Sequence, residues 1–171
     1  TRGVTSNDTV TPTPATEVEG NTQTVKAGTL SATTLTQPVA RSIAKGVSDF
    51  IFMTGNLDAV QSGEDVNVTS ITIADDPGSG ATAASADELK NVEVWADLTS
   101  ANSSRGDVYE TRVGDPTDFD QTAMDTADTI AFTLNQTLTV KKGTFTRIAV
   151  VADLSASAST SGTHTVDISA L

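Results

Sequence analysis

Apolar residues alternate with polar ones along several short stretches of this chain, and no twelve-residue stretch repeats them at the helical spacing. The run VSDFIFMT (residues 47–54) predicts an apolar strand. DVNVTSITI (residues 65–73) alternates: Val66, Val68, Ser70 and Thr72 share one face, and Asn67, Thr69, Ile71 and Ile73 share the other. The two isoleucines make the second set the expected core face at that end. LKNVEVWADL (residues 89–98) sets Val92, Val94 and Ala96 against Glu93 and Trp95, and residues 108–113 return as its hairpin partner. Further strands are expected at 130–134, 138–140, 145–154 and 164–168, the third of these central. Residues 22–35 alternate loosely around Val25, Leu30 and Leu35, and Pro38 ends them. Short strands separated by Gly, Asp, Asn and Ser turns predict an all-β fold, an immunoglobulin-like or jelly-roll β-sandwich with an extended N-terminal segment. Residues 1–36 form that segment, and residues 37–171 the sandwich.

Two stretches of the chain follow one pattern. Aligning Lys45-Gly46 with Lys142-Gly143 brings Ile51 to Ile148, Met53 to Val150, Leu57 to Leu154 and Ala59 to Ala156. After two extra residues, Ser62-Gly63 meets Ser161-Gly162. Each copy reads as a Lys-Gly turn, an apolar strand, a Ser-Gly turn and an alternating strand expected to return beside the first. One copy's apolar face could cover the other's.

Composition agrees with the pattern. Threonine, β-branched and tolerant of solvent, replaces much of the usual Leu, Lys and Glu. There is no cysteine, which removes disulfides, thiolate nucleophiles and Cys-ligated zinc. The net charge of −12 disfavours nucleic acid and anionic membrane surfaces and favours divalent cations. No apolar run is long enough to span a bilayer as a helix.

The strand grammar also carries a resemblance. Lys142-Gly143, the following apolar strand and its exit Ala152-Asp153-Leu154, with Leu89-Lys90-Asn91-Val92-Glu93-Val94, resemble the immunoglobulin-like modules of very large bacterial and archaeal envelope proteins. The resemblance spans roughly residues 25–171. It implies an extracellular scaffold and brings no catalytic signature.

Candidate chemistry is sparse. His164 is the sole histidine, so any Ser-His-Asp triad would need it; a surface or strand-edge position is expected. The densest acid is the loop bearing Asp115, Asp118, Asp120, Asp125 and Asp128, a candidate calcium site because calcium takes six to eight hard oxygens. Its spacing is not that of an EF-hand, and a solvated loop is the alternative. Asp75-Asp76 with Asp87 and Glu88 form a weaker group. Arg105-Gly106-Asp107 reads as turn chemistry, and Asn102, in a loop, is the most credible glycan acceptor.

These features lead to an expectation: a non-enzymatic, extracellular structural protein, a self-assembling subunit of a filament, tubule or surface layer. An extended segment ahead of a sandwich is what inter-subunit strand donation requires. The donor would lie in residues 22–35, with Thr24, Val25, Leu30 and Leu35 as assembly residues and other copies of the chain as partners. The alternative is an adhesin or carbohydrate-binding module of a larger surface protein.

Overall fold

The computed structural model describes residues 20–78, 84–98, 108–120 and 127–171. The eight strands are β1 (Ser31–Thr34), β2 (Phe50–Asp58), β3 (Val66–Gly78), β4 (Leu89–Ala96), β5 (Thr111–Thr117), β6 (Asp128–Val140), β7 (Phe145–Leu154) and β8 (Thr163–Ala170). One sheet has the order β1-β2-β7-β4-β5, the other β6-β3-β8, and every pairing is antiparallel. The sheets pack face to face as a β-sandwich.

Alternation builds the core as expected on β4, where Val92, Val94 and Ala96 are fully buried. The expected hairpin of β4 with β5 forms, although β5 lies further along, reaching Thr117. β7 is the central strand of its sheet, and five consecutive residues from Ile148 to Ala152 are buried on both faces.

The face assignment for β3 holds only in part. Ile71 and Ile73 point inward, but so does Val68, while Asn67 and Thr69 are exposed. The register shifts between Val68 and Ser70, where β3 advances two residues against five on β6, and the inward parity of β3 reverses there. The strand also continues past Ile73 to Gly78, so Asp75 and Pro77 follow the isoleucines into the interior. On β6 the two short strands expected at 130–134 and 138–140 are one strand, with the pairing slipping from Thr133 to Leu138 around the intervening residues.

The repeat is realised differently from the expectation. Within each copy the second strand crosses to the opposite sheet. Instead the copies pair with each other, β2 with β7 and β3 with β8. Met53 and Val150, equivalent by sequence, face each other in the β2–β7 ladder, as residues at the centre of a twofold-like arrangement must. Gly46 and Gly143 share φ +75°, a conformation that L side chains rarely adopt. Their N–H groups donate reciprocally across the copies, Gly46 to the Leu154 carbonyl at 3.0 Å and Gly143 to the Ala59 carbonyl at 2.9 Å. The Ser-Gly turns are alike too: a Cβ on Gly63 would stand 2.5 Å from Lys26, and one on Gly162 2.5 Å from Ala84. The buried counterpart of Ala59 is Ala158, not the exposed Ala156, so the two extra residues lie before that alanine.

Candidate functional site

Two features of the sandwich are not explained by packing alone. The first is a cleft of about 610 Å³ between residues 38–45 and the start of β8. Its crossing segment is pinned at both ends. The Thr54 hydroxyl donates to the Gln37 carbonyl at one end, and the Leu154 N–H donates to the Val47 carbonyl at 2.9 Å at the other. Phe50 and Phe52 form the apolar wall, edge to face with centroids 5.1 Å apart. At the mouth, the Arg41 guanidinium lies 4.8 Å over the Phe50 ring. Neither Arg41 nor Lys45 makes an ion pair among the described residues.

His164 forms the polar end of this cleft. On β8 it shares a face with Val166 and Ile168, and Asp75 on β3 stands opposite Val166, so the imidazole and the carboxylate are diagonal neighbours. Nδ1 lies 2.7 Å from Asp75 Oδ2 and Nε2 3.3 Å from Glu88 Oε2. The imidazole is nearly buried, and the Asp75 side chain has no exposed surface. Glu88 Oε1 accepts the Ser159 N–H at 2.9 Å. Asp75 Oδ1 has no hydrogen-bond partner among the described residues.

Burial pulls the His164 pKa down, but the bond and charge of Asp75, then of Glu88, outweigh it, and the imidazole titrates above its ordinary value. Burial pushes the Asp75 carboxyl up, and His164 only partly offsets this. Both ring nitrogens are turned to carboxylates, an arrangement that favours the protonated imidazole. A triad histidine instead keeps one nitrogen for a hydroxyl nucleophile. Of the surface or strand-edge position expected for His164, the strand edge holds, since β8 borders its sheet, while the imidazole itself turns away from the surface. The alternation of His164, Val166 and Ile168 carried that signal, as did Asp75 standing two residues after Ile73.

The second feature is the edge of β3 that faces β8. β3 is paired with β6 from Val66 to Asp75, but β8 covers its other edge only from Thr72 to Gly78. Over residues 66–71 no described strand takes up that edge. A shallow pocket of about 420 Å³ lies there, lined by Leu30, Val66, Val68 and Leu171 among others.

The acidic candidates do not converge. Asp115 accepts Asn135 Nδ2 at 2.9 Å and lies 3.6 Å from Arg112. Asp118 accepts the Asn91 N–H at 2.7 Å, and Asp128 the Thr129 N–H at 2.7 Å. Asp120 is exposed, and Asp125 lies outside the described residues, as do Asn102 and Arg105-Gly106-Asp107. Among the described residues, no group of three or more His, Asp or Glu side chains is arranged to hold a metal. The weaker acid group is half assembled: Asp75 and Glu88 meet through His164, while Asp87 pairs with Lys90.

Of the assembly candidates, Thr24 and Val25 are exposed, Val25 at 96%. Leu30 packs against the core of its own sandwich. Leu35 is 39% exposed and donates its N–H to the Thr54 carbonyl. Between them, Ser31–Thr34 pairs with β2 of the same chain.

Comparison with protein-family models, curated proteins and solved structures finds no match to this chain.

Proposed function

We propose that this chain is a structural, extracellular β-sandwich module that assembles with copies of itself, into a filament, tubule or surface layer, by inter-subunit β-strand donation. The observation that carries this reading is the segment of residues 20–27 ahead of β1, which is exposed, lies in no described strand and bears Val25 at 96% exposure. The unpaired N–H and C=O groups of an edge strand are a template for such a segment. The resemblance to envelope modules and the Thr-rich, acidic surface support the same reading. Calcium is a candidate cofactor through Asp115, Asp118, Asp120, Asp125 and Asp128, on the strength of charge rather than of a formed cage. Negative-stain electron microscopy of the purified chain, with and without calcium at about 1 mM, the range of extracellular sites, should show ordered polymers. If calcium bridges copies, they thicken or lengthen when it is present. Dispersed monomers in both conditions would sink the assembly reading.

The cleft favours a second reading, an adhesin or carbohydrate-binding module. Its aromatic wall and the unpaired Arg41 and Lys45 at its mouth could take a sugar, above all an acidic one. A raised melting temperature with a particular glycan, lost in Arg41→Ala, is the expected result if this reading holds.

A further inference from the structure

We infer that the cleft binds a sugar bearing a carboxylate, held in one orientation. The carboxylate lies on Arg41 and Lys45 at the mouth, and the ring hydroxyls turn to Glu88 at the floor. This rests on the sugar-binding reading of the cleft given above and fixes which part of the ligand meets which wall.

The walls form a row. Arg41 lies over Phe50 at 4.8 Å, Phe50 meets Phe52 edge to face at 5.1 Å, and Phe52 meets His164 edge to face at 6.5 Å. A cation thus stands at one end of an aromatic wall and the His164–Glu88 pair at the other. Lys45 adds a second cation to the same crossing segment. The aromatic wall is fixed, because Phe50 and Phe52 belong to β2, which β7 pairs along its whole length. The volume of about 610 Å³ falls within the range of small-ligand sites, roughly 300–1,000 Å³. Ser42, Thr160 and Thr163 also line the space, and their hydroxyls can donate and accept.

Charge sets the orientation. Glu88 accepts the Ser159 N–H on one carboxylate oxygen and turns the other to His164, and each oxygen keeps a further lone pair for a donor. A ligand carboxylate at the floor would face Glu88 and be repelled. Hydroxyls there donate to it instead. An ammonium would suit Glu88 but would stand against His164, which keeps its proton to a higher pH than a free imidazole. At the mouth, the Arg41 guanidinium offers paired N–H donors in the geometry a carboxylate accepts. Arg41 and Lys45 are both exposed, in a chain of net charge −12 whose surface otherwise repels anions. Between the two ends, the C–H face of a sugar ring fits the phenylalanine wall.

Titration calorimetry of the full chain against a glycan panel tests this. The panel holds neutral oligosaccharides, acidic ones, and the methyl esters of the acidic ones, which keep the shape and lose the charge. An acidic sugar should bind more tightly than its own ester. Arg41→Ala should erase that preference, weakening the acid by about tenfold or more, the loss typical of a hydrogen bond to a charged group. Lys142→Gln removes the same charge just before β7, whose other end, Leu154, lines the cleft, and should leave the affinity unchanged. Both substituted side chains are exposed, so neither change opens the core. Esters bound as tightly as acids, or a preference that survives Arg41→Ala, would overturn this orientation and leave a sugar-binding cleft. Equal losses in Arg41→Ala and Lys142→Gln would reduce the effect to overall charge and overturn it as well. No binding anywhere on the panel would remove both the orientation and the sugar-binding reading.

Discussion

His164→Ala is expected to cost about 3–5 kcal/mol of stability near pH 6, the typical loss when one partner of a buried ion pair is removed. The variant leaves Asp75, whose side chain is wholly buried, facing Glu88 with no cation between them. The wild-type chain should also show a pH dependence of definite sign. His164 holds its proton more tightly in the fold than in the unfolded chain. Its contribution is complete below the unfolded value of 6.5 and is lost as pH rises through the higher folded value. Asp75 acts in the same direction. Burial raises its pKa, so its contribution fades as pH climbs from 3.8 through the raised value. Denaturant midpoints measured from about pH 6 to 9 should therefore fall for the wild type as the imidazole loses its proton, and His164→Ala should be less stable than the wild type at the acid end of that range. A level wild-type profile, or a variant as stable as the parent, would show that this ion pair does not hold β8 and the Glu88 turn to β3.

Phe119→Ala should be comparably damaging, at about 3–5 kcal/mol, which lowers the melting temperature by about 10 °C for a chain of this size. Phe119 is among the largest fully buried side chains, at 1% exposure, yet it stands between Asp118 and Asp120. It fastens the acidic stretch after β5 to the core. The neighbouring Asp118 carboxylate then meets the Asn91 N–H at 2.7 Å and lies 3.7 Å from Lys90. Without the ring, a cavity remains and the carboxylate loses its fixed position. Calorimetry reads the first effect, and faster cleavage near Asp118 by an acid-specific protease reads the second. An unchanged melting temperature would mean that the stretch is held by its polar contacts alone.

Phe119 also shows how local composition misleads. In GDPTDFDQTAMDTAD the carboxylates dominate any reading by charge, yet the residue that anchors residues 118–120 to the core is Phe119. The same holds for Asp75. Read as part of an acidic loop it suggests a cation site, but the ladder with β6 and β8 extends β3 past it and turns it inward. A carboxylate in that position needs a buried cation, and His164 lies two positions along β8 from its register partner.

The sequence by itself determined the all-β class, the alternating faces of β4 and β8, the central place of residues 145–154, and the twofold pattern with its Lys-Gly and Ser-Gly turns. These features follow from side-chain periodicity and from glycine's backbone freedom, which are local properties. Only the tertiary structure decided which strands pair, because the two copies could have closed on themselves or on each other with the same local pattern. Pairing across copies and the register shift in β3 are set by long-range contacts. Register in turn decided the rest: Asp75 and His164 came together, and Ser31–Thr34 joined its own sheet.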